Sequence, residues 1–256
     1  VLHIVDIDYN SHYYTLKSNL QALKTWSDAH PNHLPILIQI EPKEQTVADV
    51  VTQFNYTKAP KFTTAALDSL DDEIRSVLGT DRVLKPDDIR GNESSLWTAI
   101  QQKGWPKLRD CRGKFLFIMD GSATQEDNYR AGHPGLQGRM MFMFTQPNTP
   151  ESGFIILNDP IGGFASIQQR IQEGYFVRTR TDSGTEEARS GDTTARHKAF
   201  TSGAHLISTD YYRPDPRGNT PGSGWTNFSV TIPGGYRSAR PNPVLAPNRN
   251  YRPISE

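Results

Sequence analysis

The sequence predicts an α/β fold in which parallel strands alternate with helices that pack outside the sheet. Short runs such as residues 34–40 and 114–119 are apolar at most positions, and strands that are apolar on both faces are typical of a buried parallel sheet. Segments with apolar residues at helical spacing lie between these runs. A chain of 256 residues, 35% of them hydrophobic, can form one large α/β domain or two small ones.

The first part of the chain alternates strand, helix and strand. Residues 1–5 read as a strand, because the chain begins inside an apolar run. Residues 14–29 read as a helix with one apolar face. Its apolar residues lie three or four positions apart: Leu16, Leu20, Leu23 and Trp26. Residues 34–40 then form a strand after a turn that contains proline.

The middle of the chain holds the helix with the strongest end signals. Thr63 or Thr64 can cap it, and Gly79 can end it. Its apolar stripe consists of Leu67, Leu70, Ile74 and Val77. A shorter helix covers 95–103 and ends at Gly104, and residues 114–119 form another strand of the buried type.

The last part of the predicted domain continues the alternation. Residues 140–144 form a strand, with 154–157 as an adjoining apolar segment. A helix through Phe164, Ile167 and Ile171 stops at Gly174. The remaining predicted elements are a strand at 175–179, a helix at 186–202 and a strand at 205–208.

The strand count favours a barrel with two units missing. Six strands are predicted, near residues 3, 37, 117, 142, 177 and 207, whereas a (β/α)8 barrel has eight in about 250 residues. We therefore expect residues 1–212 to be a TIM-type barrel that lacks its first two βα units, holding strands 3 to 8. A Pro/Gly-rich extension, 213–256, would pack on it. An open doubly wound sheet also fits six strands, but no Gly-rich phosphate loop follows any of them.

Composition excludes several classes of protein. The 28 Lys+Arg balance 28 Asp+Glu, which argues against a nucleic-acid partner. No apolar run approaches the roughly 20 residues of a membrane span. The single cysteine, Cys111, excludes an intrachain disulfide and reads as a partly buried thiol. Glycosylation-type triplets at Asn55, Asn92 and Asn227 favour a secreted protein.

Polar residues at the predicted strand ends indicate chemistry on a phosphate ester. The carboxyl ends of parallel strands meet at one edge, so these side chains should lie on one face. They are His3, Asp6, Glu41, Lys43, Asp120, Asn158, Asp159, Arg178, Arg180, Asp182, Asp210 and Tyr211. Such a set offers a proton carrier, cations for phosphate charge and carboxylates for a hard cation such as Ca²⁺ or Mg²⁺. From spacing alone, an isolated strand histidine such as His3 has a structural role by default, and a position at the rim of the barrel mouth would reverse that. Glu41 could equally face solvent or be held for metal binding or catalysis.

Blocks in order along the chain resemble the secreted microbial, Ca²⁺-dependent phosphatidylinositol-specific phospholipase C family. The blocks are VLHIVDIDY at 1–9, WSDAHP at 26–31, HLPI at 33–36, LDSLDDEIRSV at 67–77, PDDIRG at 86–91, AGHP at 131–134, LNDP at 157–160, VRTRTD at 177–182, GDTT at 191–194 and STDY at 208–211. The resemblance covers most of the chain. It implies a phosphodiesterase barrel, a Ca²⁺ cofactor and a phosphatidylinositol substrate met transiently at a membrane surface.

The resemblance also implies roles for individual residues. His3 is similar to the second catalytic histidine, on the third strand, and Glu41 to a calcium carboxylate on the fourth. Lys43 and Arg178 would lie near the phosphate or inositol, although a structural ion pair is an equal alternative, and Tyr211 would stack on the ring. In the implied reaction, the inositol 2-hydroxyl attacks its own phosphate, expels diacylglycerol, and water can then open the cyclic phosphate.

One departure from the family pattern limits these expectations. The family's first strand carries a His-Asn pair and its second a Glu-x-Asp pair, and neither has a counterpart here. Because Ca²⁺ needs 6–8 oxygen ligands, we expect weak calcium binding. Residues 1–256 alone should then release no inositol phosphate, and robust activity would contradict the idea of a fragment. We expect a secreted monomer.

Two alternative functions stay open at this point. A glycerophosphodiester phosphodiesterase uses a similar acidic metal site on a soluble diester. A catalytically inactive barrel with a binding or structural role belongs to another class. Upstream sequence that carries the His-Asn and Glu-x-Asp pairs would favour the enzyme.

Overall fold

A computed structural model describes residues 6, 10–49, 51, 53, 55–236 and 238–247. The strand predicted at 1–5 lies outside these residues. The described residues form two compact units. The first unit holds the described residues up to 144 together with 148–152, and the second unit holds 145–147 and 153–247.

In the first unit the described residues form a three-stranded parallel sheet. Its strands are β1 (Ile36–Ile40), β2 (Phe115–Met119) and β3 (Met141–Met143), in that spatial order. Ile40 lies opposite Met119, so β1 and β2 end side by side. The apolar run in β2 is fully buried, as predicted, whereas β1, at one edge of the described sheet, stays half-buried.

The helices of the first unit begin and end where local chemistry requires. They are α1 (Leu16–Ala29), α2 (Thr64–Leu78), α3 (Pro86–Arg90), α4 (Leu96–Lys103) and α5 (Ala123–Arg130). The Thr63 side chain accepts the Ala66 amide at the start of α2, and Gly79, at φ +73°, ends that helix. The predicted helices α1, α2 and α4 are confirmed, although α1 and α4 begin at Leu16 and Leu96 rather than at residues 14 and 95, and α3 and α5 have no predicted counterpart.

A buried polar network joins α2, α5 and the start of β3. Arg139 is 2% exposed and forms ion pairs with Asp68 and Asp71. The Tyr129 hydroxyl donates to Asp71 at 2.7 Å and accepts the Met141 amide at 2.9 Å. Burial raises the pKa of both Tyr129 and Asp71. The network fixes the helices against the first sheet by hydrogen bonds as well as by apolar packing.

The second unit contains a second three-stranded parallel sheet in the described residues. Its strands are β4 (Phe154–Ile156), β5 (Phe176–Arg180) and β6 (Leu206–Ser208), and its helices are α6 (Phe164–Gln172), α7 (Glu186–Ser190) and α8 (Thr194–Ser202). The α/β class with parallel strands is therefore confirmed. No helix among the described residues is both long and apolar enough to cross a bilayer.

Two predicted elements need correction. The runs at 140–144 and 154–157 are not one strand with an adjoining segment, because β3 and β4 belong to different sheets. The helix predicted at 186–202 is two helices, since Gly191 adopts φ +74° and ends α7. The next helix, α8, begins two residues after Asp192, whose carboxylate accepts the Thr194 amide.

The first part of the C-terminal extension packs on the second unit. Phe228 meets Tyr211 edge to face, with ring centroids 5.8 Å apart, and both join Ala188 in a small core cluster. The Val230 amide donates to the Tyr211 carbonyl, and the Thr226 amide donates to the Ala188 carbonyl. The domain boundary at residue 212 stays a prediction.

Candidate active site

The carboxyl ends of β1 and β2 form the wall of a cavity of about 330 Å³ in the first unit. Because the two strands are parallel and end in register, Glu41 and Asp120 follow them at the same edge. The Asp120 amide also donates to the Ile40 carbonyl at 2.8 Å. The cavity is lined by Glu41, Pro42, Lys43, Glu44, Gln45, Asp120, Gly121, Ser122 and Gln125. This edge is the candidate active site of the described residues.

Glu41 and Lys43 form an ion pair across the first turn after β1. Lys43 Nζ lies 3.4 Å from Glu41 Oε1, and the side chains are 31% and 50% exposed, respectively. The Lys43 amide also donates to the Glu41 carbonyl at 2.9 Å. Both charged groups remain accessible to solvent, so a cation could bind Glu41 and an anion could bind Lys43 without removing a buried partner.

The loop that carries these residues is held by groups that the sequence analysis did not single out. Gln125 is buried, its Nε2 donates to the Pro42 carbonyl at 2.7 Å, and its Oε1 accepts the Ser122 amide. Gln39 donates to Asp120 at 2.6 Å. A signal existed for both: Gln39 is the polar residue of an apolar strand, and Ser122 with Gln125 makes a capping box.

Glu44 has a structural part in the same loop. Its carboxylate accepts the Phe62 amide at 2.6 Å and pairs with Lys61 at 3.0 Å. The Phe62 amide holds the pKa of the Glu44 carboxyl below its ordinary value. Glu44 thereby anchors the segment before α2, and its oxygens are already engaged.

The described residues do not fit a calcium site on their own. Nowhere among them do three or more His, Cys, Asp or Glu side chains come together as a metal-binding group. Ca²⁺ takes 6–8 oxygens, so the exposed Glu41 carboxylate could supply only part of a ligand set. His3, the predicted catalytic residue, lies outside the described residues.

In the second unit, Arg178 is the middle residue of β5 rather than a residue at its end, and it contacts the segment that follows β4. Its Nη1 donates to Asn158 Oδ1 at 2.8 Å, and its carbonyl accepts the Leu157 amide. The structure thus brings Arg178 together with Asn158, another residue of the predicted strand-end set. Its predicted contact with phosphate or inositol stays a prediction.

Asp182, also one of the strand-end residues, is a buried brace. It is 6% exposed and accepts hydrogen bonds from the Thr181 hydroxyl, the Thr209 hydroxyl and the Asp210 amide. These bonds tie the segment after β5 to the segment after β6. Its carboxylate oxygens are therefore committed to the fold.

Tyr211 is packed inward rather than displayed. The residue is 9% exposed, its ring lies against Phe228, and its hydroxyl donates to the Gly184 carbonyl at 3.0 Å. The next residue, Tyr212, is 72% exposed. The stacking of Tyr211 on a sugar ring stays a prediction, and this packing weighs against it because both the ring and the hydroxyl already have partners.

Histidines among the described residues include both buried and exposed ones. His33 is buried, with Nε2 2.8 Å from the Ser27 hydroxyl. His205 stacks on Phe176, and burial lowers its pKa to about 4. His12 is exposed. Cys111 is buried as predicted, and burial raises the pKa of its thiol.

Comparisons with known proteins agree on one family. The family model "Phosphoinositide phospholipase C, Ca2+-dependent" matches residues 1–243. A Ca²⁺-dependent phosphatidylinositol-specific phospholipase C from Streptomyces antibioticus is 20% identical with a TM-score of 0.53, covering 77% of this chain and 70% of that chain. No curated protein matches.

A second solved structure gives the same fold likeness. The calcium-dependent phosphoinositol-specific phospholipase C from the Gram-negative bacterium Pseudomonas sp. is 16% identical with a TM-score of 0.54, covering 78% of this chain and 68% of that chain. It is described as an apo form and a myoinositol complex. At such identities the two structures support the fold alone.

Proposed function

This chain belongs to the family of Ca²⁺-dependent phosphoinositide phospholipases C, and from that membership we propose that it cleaves phosphatidylinositol to diacylglycerol and an inositol phosphate, cyclic in the first step. The observation that carries the proposal is the family match across residues 1–243. The parallel pairing in both described sheets is compatible with a TIM-type barrel, which we propose as the fold of the domain. We also propose that the protein is secreted and meets the lipid transiently at a membrane surface.

The cavity at the end of β1 and β2 supports the proposal through its charges. Lys43 is a partly exposed ammonium just after a strand end, where it can neutralise a phosphate that gains charge during attack by the inositol hydroxyl. Glu41 holds Lys43 in place when no lipid is bound, and its exposed carboxylate is free to turn toward a cation. The buried Gln125 keeps the loop between them rigid.

Family members depend on calcium, and we propose Glu41 as one of its ligands in this chain. We propose His3 as the catalytic histidine that assists proton transfer, and Arg178 as a second cation for the phosphate or inositol. We also propose Tyr211 at the inositol ring, a role that requires its ring and hydroxyl to leave the partners they have inside the second unit.

The experiment is release of water-soluble inositol phosphate from phosphatidylinositol vesicles. It is run on the protein as its source produces it and, in parallel, on residues 1–256, each with Ca²⁺ and with EGTA. We expect calcium-dependent release by the native protein and little by 1–256, because the described residues do not assemble a calcium site. No release by either would contradict the proposed enzyme, and release by both would contradict only the expected inactivity of 1–256.

Variants of the native protein test the two residues of the cavity. Lys43→Met should lower turnover about 10²-fold, since one charge that stabilises the transition state is lost. Glu41→Gln should raise the Ca²⁺ concentration needed for half-maximal activity. Lys103→Met and Glu93→Gln are matched controls, because each removes one member of an ion pair in the same unit that shares no residue with the cavity. Deacylated glycerophosphoinositol serves as the competing substrate, and a preference for it would favour a glycerophosphodiester phosphodiesterase.

A further inference from the structure

A cationic cavity of about 380 Å³ lies in the second unit and shares no residue with the candidate active site. One wall is a face of α8, and the other is formed by Thr231, Pro233 and Arg240 of the C-terminal extension. It is lined by Thr193, Arg196, His197, Phe200, Thr201, Thr231, Pro233 and Arg240. Its volume falls in the range of small-molecule sites.

The two arginines of this cavity are fixed by backbone carbonyls instead of by acids. Arg196 Nη1 donates to the Ser229 carbonyl at 2.6 Å, and Arg240 Nη2 donates to the Phe200 carbonyl. Each guanidinium also lies over an aromatic ring, Arg196 over Phe228 and Arg240 over Phe200. A guanidinium has five N–H donors, so each arginine is held in place and still has donors to offer.

The cationic side chains of this cavity have no acidic side chain beside them among the described residues. Among the described residues, no carboxylate lies within 4.0 Å of Arg196, His197 or Arg240, and the lining contains no acid. Burial also lowers the pKa of Arg240, as expected of a cation that has been partly desolvated without an acidic partner. The nearest acid along the chain, Asp192, already accepts the Thr194 amide and hydroxyl.

We propose that this cavity binds a phosphate monoester between Arg196 and Arg240. Planar guanidinium groups match phosphate oxygens in bidentate geometry, and a monoester carries the charge that two arginines can neutralise. His197 and the hydroxyls of Thr193 and Thr231 stand at the same cavity and can complete the hydrogen bonds. Phe200 and Pro233 give apolar walls for the group that the phosphate is attached to.

The test is calorimetric titration of residues 1–256 with inorganic phosphate and with glycerol 3-phosphate, against sodium chloride at matched ionic strength. We expect the wild-type chain to bind both phosphates. Arg196→Gln and Arg240→Gln should each weaken binding by about tenfold or more, because each variant loses one charged hydrogen-bonding partner. Arg196→Lys should weaken it less. Arg170→Gln is the control, because it removes a charge from the same unit at an arginine paired with Glu173.

Vesicle binding then separates a soluble ligand from a lipid headgroup. Phosphatidylcholine vesicles that carry phosphatidic acid present a monoester, whereas those that carry phosphatidylglycerol present only diesters. Binding of glycerol 3-phosphate supports the proposal with a soluble ligand, and selective, Arg240-dependent binding of phosphatidic acid vesicles supports it with a lipid. Absence of both, or equal binding by wild type and folded Arg→Gln variants, overturns it.

A measurement on the wild-type chain covers the case in which the variants do not fold. Phenylglyoxal modifies accessible arginines, and mass spectrometry locates the modified residues. We expect phosphate, but not chloride at the same ionic strength, to slow modification of Arg196 and Arg240 and to leave Arg170 unaffected. Equal modification of all three in both salts would overturn the proposal.

Discussion

At the carboxyl end of the first sheet, Glu41 has a side chain that is 50% exposed and pairs with Lys43 among the described residues. At the corresponding end of the second sheet, Asp182 is 6% exposed and accepts hydrogen bonds from three donors. Both are carboxylates that follow a parallel strand, and the sequence alone treats them alike. The difference teaches that burial and hydrogen bonding decide whether such a residue is available for chemistry or committed to the fold.

The largest expected effect is the loss of the Asp182 brace. Asp182→Ala should lower the free energy of unfolding by about 3 kcal/mol, because the Thr209 hydroxyl and the Asp210 amide lose a charged acceptor and stay partly buried. Chemical denaturation measures the change. Asp182→Asn keeps one acceptor oxygen and should fall between wild type and the alanine variant.

Asp210→Ala is the matched control for this prediction. Asp210 follows β6 at the same edge, but it is exposed. It contacts Asp182 through its backbone amide, which alanine retains. Its unfolding free energy should stay within about 0.5 kcal/mol of wild type. If Asp182→Ala and Asp210→Ala lowered the free energy of unfolding equally, the hydrogen bonds of the Asp182 carboxylate would not be the source of the stability.

Local chemistry explains which parts of the fold are predictable from sequence. The ends of α2 are set by Thr63 and Gly79, two residues whose side chain or backbone preference acts within one turn. By contrast, α5 carries almost no apolar stripe, and its start depends on the pairing of Ser122 with Gln125. Periodicity therefore detects α2 and misses α5.

The candidate site is predictable only where it depends on strand order. Glu41 and Lys43 could be named because they follow an apolar run. Their pairing is local, since the two residues are two positions apart. The anchoring of their loop by Gln125, however, depends on a contact across 83 residues that no local pattern carries. The burial of Tyr211 beside the exposed Tyr212 likewise depends on where Phe228 of the extension packs.

A second prediction concerns the amino end of β6 and has an intermediate effect. His205 Nδ1 accepts the Val177 amide at 3.2 Å, which requires an unprotonated nitrogen, and burial lowers the pKa of the imidazole to about 4 from 6.5. The unfolded chain therefore binds more protons between these values. The contribution of neutral His205 to the free energy of unfolding should be fully present above pH 6.5. That free energy should fall by about 2 kcal/mol by pH 5.

Denaturation at pH 7 and pH 5 measures this loss. His205→Asn retains an acceptor for the Val177 amide but does not titrate, so most of the fall should vanish in that variant. His12→Asn, at an exposed histidine of the same chain, should keep the fall. A fall that persists in His205→Asn would assign the pH dependence to other groups.

The smallest expected effect returns to the first sheet. Glu41→Gln should change the free energy of unfolding by less than about 0.5 kcal/mol, because it removes only a solvent-exposed ion pair with Lys43. The same denaturation series that includes Asp182→Ala measures it. If Glu41→Gln destabilised the chain as much as Asp182→Ala, the Glu41 carboxylate would be a brace as well, and its assignment as a calcium ligand would lose its support. A stable variant with altered calcium dependence would instead show that this residue is retained for chemistry, because the fold does not need it.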